Sequence, residues 1–153
     1  LFKGGFRGEL SYFHPEENLA DTSGVLVASV GYGYTLKNSL AFQVEALYNG
    51  NADKTGGFSF ANMLTMDLGP KNLFPAEWTF FGQVSYPITP LFNGVLSGMY
   101  SPEHDIVFVG PTFSYSLDQN LDFSLVVQSF FSDLPRNLGG QGTNIFMRFK
   151  RSF

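Results

Sequence analysis

An all-β fold of long antiparallel strands is predicted by three features of the sequence. Apolar and polar residues alternate with period two along most of the chain, the alternating segments run to about ten residues, and short turns alternate with longer connections between them. Composition narrows the setting further. Only 14% of the 153 residues are charged and 17% are aromatic, where a soluble domain carries about 25% charged residues. Such a chain has too few polar groups to cover a soluble surface, so a lipid-facing protein is expected.

The first segment sets the pattern. Phe2, Gly4, Phe6, Gly8, Leu10 and Tyr12 share one parity and Lys3, Gly5, Arg7, Glu9 and Ser11 the other, so a strand here has one apolar and one charged face. Leu26, Ala28, Val30, Tyr32, Tyr34 and Leu36 then oppose Ser29, Gly31, Gly33 and Thr35, with Val25 and Val27 weakening the split at one end. In the third segment Leu40, Phe42, Val44, Ala46 and Tyr48 oppose Ser39, Gln43, Glu45 and Asn49, and Ala41 and Leu47 are out of character. Trp78, Phe80, Val84 and Tyr86 alternate with Glu77, Thr79, Gln83 and Ser85, and Phe92, Leu96 and Tyr100 with Asn93 and Ser97. Val107, Val109, Phe113, Tyr115 and Leu117 face away from Gly110, Thr112, Ser114 and Ser116. Leu121, Phe123, Leu125 and Val127 face away from Asn120, Asp122, Ser124 and Gln128. In the last segment Ile145, Met147, Phe149 and Phe153 oppose Asn144, Arg148, Lys150 and Ser152. Arg151 is the one charge there on the apolar parity, close enough to the strand end to reach lipid headgroups.

About eight strands of roughly ten residues result, long beside the five or six typical of soluble sheets. Tilted near 45°, strands of that length cross a bilayer. Tyr12, Tyr32, Tyr34, Tyr48, Trp78, Tyr86, Tyr100 and Tyr115 gather near strand ends on the apolar parity, as the aromatic girdles of a membrane barrel do. Long connections are expected at 14–23, 50–76 and 133–143, tight turns at 36–39, 87–90 and 118–120, and a connection at 101–104. Short turns alternating with longer loops are the asymmetry of an outer-membrane barrel, whose even strand number puts both chain ends at the periplasmic rim. Residues 51–76 read as one long loop, because Phe60, Met63, Leu64 and Asp67 fall at helical spacing before Gly69-Pro70; it could enter the lumen or lie on the outer rim, and a strand over 58–67 is the alternative. Pro111, inside a strand beside Gly110, predicts a bulge. The expected fold is an antiparallel up-and-down transmembrane β-barrel over residues 1–153, either closed by its own eight strands or forming the C-terminal part of a larger barrel.

Other classes are excluded. No stretch approaches ~18 apolar residues, so no transmembrane helix is expected. A net charge of −4 without a Lys/Arg cluster removes the phosphate-neutralising surface that nucleic acid requires. With no Cys there are no disulfides, thiolate metal sites or thiol redox chemistry. Leu1 is expected to be a mature N-terminus or the cut end of a longer chain; the second is favoured, because the chain begins already inside a strand.

The final Asn144-Ile145-Phe146-Met147-Arg148-Phe149-Lys150-Arg151-Ser152-Phe153 resembles the last strand of bacterial outer-membrane proteins. In that family the barrel-assembly machinery reads the alternating apolar residues and the C-terminal Phe, here Phe149 and Phe153. Arg151 departs from the pattern, which usually has an apolar residue there. Gly5-Phe6-Arg7-Gly8-Glu9-Leu10, Phe42-Gln43-Val44-Glu45-Ala46-Leu47-Tyr48-Asn49 and Tyr86-Pro87-Ile88-Thr89-Pro90-Leu91 are similar to the C-terminal half of larger porin-like barrels of Bacteroidetes type. The resemblance implies an integral protein of the bacterial outer membrane, partnered by membrane lipids, lipopolysaccharide, the assembly machinery and other subunits of a membrane complex. It names no solute.

The polar parity supplies the candidate functional side chains: Lys3, Arg7, Glu9, Glu45, Glu77, Asp122, Arg148 and Lys150. On a water-filled wall their desolvation costs little. Lys3, Arg7, Arg148 and Lys150 would then favour anionic or polar solutes, unless they serve only to balance the four carboxylates. In a closed eight-stranded barrel Lys3 would lie near Lys150 and Arg7 near Arg148, like charges in a narrow interior. The expected function is passive diffusion of small polar or anionic solutes, with no cofactor and no metal. The alternatives are a poreless closed barrel acting as anchor, adhesin or partner platform, and an outer-membrane lipid-modifying enzyme. Catalysis is not expected. His14 and His104, the latter beside Asp105 and near Ser101, are the only residues of a type suited to general-base work at neutral pH, and no motif fixes a nucleophile. His14, Glu16, Glu17 and Asp21 read as a solvated acidic loop rather than a cation site, and Gly139-Gly140-Gln141-Gly142 as a flexible loop rather than a phosphate cradle. A soluble barrel of lipocalin type would need the opposite polarity, apolar inside and charged outside.

Overall fold

A computed structural model describes residues 4–14, 24–52, 76–132 and 139–152. Eight strands follow one another: β1 (Gly4–Phe13), β2 (Val25–Thr35), β3 (Ala41–Asn49), β4 (Trp78–Thr89), β5 (Phe92–Ser101), β6 (Ile106–Asp118), β7 (Leu121–Ser132) and β8 (Gly139–Arg151). They form a single antiparallel sheet in sequence order, each strand hydrogen-bonded to the next. No helix among the described residues is long and apolar enough to cross a membrane.

The sheet is not closed. β1 and β8 are its two edges and do not pair with each other. The neighbourhood of Arg7 and Arg148 that closure by these eight strands would produce is therefore absent: seven strand spacings of about 4.8 Å separate them along the sheet. Lys3 and Phe153 lie outside the described residues, as do Glu16, Glu17 and Asp21 and all but the ends of the 51–76 loop.

The registers carry the period-two pattern from strand to strand without a change of face. Phe6 pairs with Tyr32 and Tyr32 with Val44, while Arg7 pairs with Gly31 and Gly31 with Glu45. One face therefore collects the apolar parity and the other the polar parity, as the alternation requires.

Three local expectations are corrected. The turn placed at 87–90 is tighter and later, at Pro90-Leu91. Pro87 still pairs with Asn93, and a register shift before Thr89 absorbs the extra residue. The glycine-rich stretch assigned to the 133–143 loop belongs in part to β8, where Gly139, Gly140 and Gly142 pair with Ser132, Phe131 and Phe130 across a register shift. Glycine backbone can join a ladder like any other, so missing side chains there do not mark a loop. Pro111 makes no bulge. It stays in step with Leu96, and Val109↔Ser129 and Thr112↔Val126 keep one register past it; the ladder to β7 loses rungs at Gly110 and Pro111 but gains no residue. A proline lacks only the donor, and losing a donor need not displace the chain.

At one rim the connections are short, at 36–40, 90–91 and 119–120. The other rim holds the ends of the longer loops and a 3-10 turn, Pro102–His104. Asp105 closes that turn with φ 48°, its N–H donating to the Pro102 carbonyl. Gly50 is required where it stands, because a Cβ there would come within 2.9 Å of the Leu26 carbonyl oxygen that accepts the Gly50 N–H.

The faces differ in enclosure, and the order is inverted from that of a soluble sheet. Phe6, Val30, Val44, Leu96, Ile145 and Met147 are all more than half exposed on the apolar face. The buried strand residues Val27, Gly31, Asn49, Thr79, Ser101, Ile106 and Gly110 all lie on the polar-parity face.

Candidate functional site

The polar-parity face is organised in rows that cross the ladder. One row runs Arg7, Gly31, Glu45, Phe81, Met99, Phe108 and Phe130, with charges on β1 and β3 either side of a glycine and apolar side chains in the rest. The Glu45 side chain lies across Gly31, where a Cβ would be 3.6 Å from its Cγ and 3.7 Å from Oε2. This carries the carboxylate towards the strand that bears Arg7. On the loop side of this row stand Glu9, Ser29 and Leu47, and then Thr79, whose hydroxyl meets that of Ser101 at 3.2 Å in a buried contact. A buried hydroxyl pair satisfies itself where water is shut out.

Towards the short turns the face becomes more polar, interrupted by one mixed row of Ala41, Ser85, Val95, Thr112, Val126 and Phe146. Gln43, Gln83, Ser97 and Gly110 form one row. Asn93, Ser114, Ser124 and Arg148 form another, and Ser116, Asp122 and Lys150 the last. These two rim rows line one side of an open pocket of about 360 Å³, to which Asn93, Ser114, Asp122, Ser124, Arg148 and Lys150 contribute polar groups and Pro87, Pro90, Leu91 and Phe92 an apolar wall. Inside it Ser116 Oγ donates to Asp122 Oδ1 at 3.1 Å, and the Ser114 and Ser124 hydroxyls are 3.5 Å apart. Asp122 and Lys150 are direct cross-strand partners, and Arg148 stands beside Ser124. With two cations, one carboxylate and several neutral donors, the pocket carries a net positive charge and can hold a small anion by charge-assisted hydrogen bonds.

The sequence candidates are thus split. Asp122, Arg148 and Lys150 come together in the rim pocket; Arg7, Glu9 and Glu45 form a second group across β1–β3. Glu77 precedes β4, half-buried, and its carbonyl accepts the Asn49 N–H at 2.8 Å. The Glu103 carboxylate, which the parity argument did not single out, accepts the Trp78 N–H at 3.2 Å and fixes the start of β4. Phe149 is exposed on the apolar face, 5.0 Å from Phe123. His14 stacks on Tyr12 at 6.2 Å at the end of β1, whereas His104 sits in the turn after β5. Four strand spacings of about 4.8 Å part them, so they do not form one site.

Sequence reasoning missed Asn93, Ser114 and Ser124 as pocket residues. Their polar parity was visible, but which strands stack them at one rim is set by the register. It missed equally the apolar row Phe81, Met99, Phe108 and Phe130, because within each strand these are isolated departures from the polar parity and only the register aligns them. No family model matches the chain, and no curated protein or solved structure is significantly similar to it.

Proposed function

We propose that the sheet is the wall of a transmembrane β-barrel in a bacterial outer membrane, and that its polar face lines a path for passive diffusion of small polar or anionic solutes. The observation that carries this reading is the inverted enclosure: large apolar side chains are exposed on one whole face, while the buried residues sit on the polar-parity face. Contiguous apolar surface of that extent marks contact with lipid or another apolar partner. Its dimensions suit lipid. Trp78 and Tyr86 on β4, and Phe92 and Tyr100 on β5, are eight residues apart. At ~3.4 Å per residue and a tilt of ~40° they bound a band of roughly 21 Å, near the ~25 Å apolar belt of outer-membrane barrels. Tyr48 and Trp78 pack at 5.0 Å on one side of the band, and Phe92 and Tyr115 at 6.0 Å on the other. The likeness of 144–153 to a terminal outer-membrane strand supports the same reading.

In this reading the short turns are periplasmic, the rim pocket lies at the periplasmic mouth, and Arg148 and Lys150 attract anions there. Solutes pass by diffusion, with no cofactor and no covalent chemistry. A carrier of lipocalin type would enclose its apolar face, the opposite of the exposure found here. The test is conductance of the purified full chain in a planar bilayer under a salt gradient. Discrete steps with anion preference, lost in the Arg148→Gln/Lys150→Gln double variant, are expected. An inserted, heat-modifiable protein that passes no current would remove the channel reading and leave the poreless anchor or platform.

A further inference from the structure

The apolar face carries a feature that solute passage does not use. Near the short-turn rim Phe92, Phe113, Tyr115, Phe123 and Leu125 line a groove of about 510 Å³ with a wholly apolar lining. Ligand pockets span ~300–1,000 Å³, so the groove is large enough to hold a molecule rather than a stray methyl group. Its walls are braced by ring contacts: Phe92 lies 5.9 Å from Phe113 and 6.0 Å from Tyr115, and Phe123 packs 5.0 Å from Phe149. Gly94 pairs with Phe113, and a Cβ there would be 3.3 Å from Ile88 Cδ1 and 3.7 Å from the Phe113 ring, so Ile88 flanks the groove on the β4 side.

Charge marks the rim end of the groove. Arg151 is exposed, shares the apolar parity, and pairs with Leu121 one step beyond the Phe123–Phe149 pair. Diagonal neighbours on a sheet face are ~7–8 Å apart, within reach of an arginine side chain. A cation at the rim and an aromatic slot running away from it match a molecule with an anionic head and an apolar tail. Guanidinium binds phosphate oxygens in bidentate fashion, which a point charge does not.

We infer that this groove binds one acyl chain of an anionic phospholipid of the short-turn leaflet, with Arg151 on its phosphate. The inference rests on the transmembrane reading above. The full chain is folded into vesicles of phosphatidylcholine mixed with phosphatidylglycerol, floated, extracted in mild detergent, and weighed by native mass spectrometry with its retained lipid. Phosphatidylglycerol is expected to be retained about fivefold over phosphatidylcholine, the factor one interfacial cation supplies. Arg151→Gln should abolish the preference while the chain still floats. Leu125→Trp, which fills the slot from a lipid-facing position, should lower retention of both lipids. Equal retention of the two lipids by the unaltered chain, an unchanged preference in Arg151→Gln, or displacement of phosphatidylglycerol by inorganic phosphate would each overturn the site while leaving the barrel reading intact. A chain that does not float with vesicles overturns both.

Discussion

Placing an arginine at Val30 tests which solvent the apolar face meets. Val30 is 58% exposed, and its cross-strand partners Gly8 and Ala46 are small, so a long side chain meets no steric obstacle. On β2 it lies four residues from Leu26 and four from Tyr34, ~14 Å from each along the strand and close to mid-band. In water such an exchange at an exposed position changes stability by about 0.5 kcal/mol or less. At the middle of a bilayer the same charge costs ~2–4 kcal/mol, falling to ~0–1 kcal/mol near the interface. The assay is equilibrium urea unfolding of protein folded into vesicles, comparing Val30→Arg with Ser29→Arg on the other face and Ile88→Arg at the turn rim. The expected order is a large loss for Val30→Arg and small losses for the other two. If Val30→Arg costs no more than either, the apolar face does not meet lipid and the barrel assignment fails.

Other consequences follow from the polar face and the turns. Asp122→Asn removes the carboxylate facing Lys150 and weakens the acceptor for Ser116, so anion preference in bilayer recordings should rise, with a stability cost of only ~0.5–1 kcal/mol for so exposed a group. Thr79→Val or Ser101→Ala strands one member of a buried hydroxyl pair and should cost ~1–3 kcal/mol in urea unfolding; the double variant should cost less than the sum, and additivity would mean the hydroxyls are not coupled. Ser39 holds φ 68°, so Ser39→Gly should relieve ~1 kcal/mol of left-handed strain, set against the entropy glycine adds to the unfolded chain; a loss of stability would show that the turn is unstrained. Gly50→Ala, by contrast, sets a Cβ against the Leu26 carbonyl and should slow or prevent folding, measurable as lost heat-modifiable mobility.

The strands and their faces were legible in the sequence because period two is a local property: each residue's side is fixed by its neighbours two positions away. The tyrosine-bearing strand ends, the turns expected at 36–39 and 118–120 and found within one residue of those bounds, and the polar parity of Arg7, Glu45, Asp122, Arg148 and Lys150 all follow from that rule. Where the rule was extended to loops it failed, at Pro87 and at Gly139, because a ladder's end depends on whether the facing strand still offers partners. Pro111 failed as a bulge marker for the same reason: β5 holds it in register.

By itself, then, the sequence determined the strand order of magnitude in length, the alternation of faces and the residue types on each. Only the tertiary structure decided which residues of different strands share a row, and so gathered Asn93, Ser114, Asp122, Ser124, Arg148 and Lys150 into one pocket while leaving Arg7 and Glu9 at the far edge. It also decided that the apolar face is the exposed one. Alternation is symmetric with respect to inside and outside, since both a lipid-facing wall and a water-facing carrier satisfy it. The direction in which a sheet encloses space is a property of all its strands together, and no single strand encodes it.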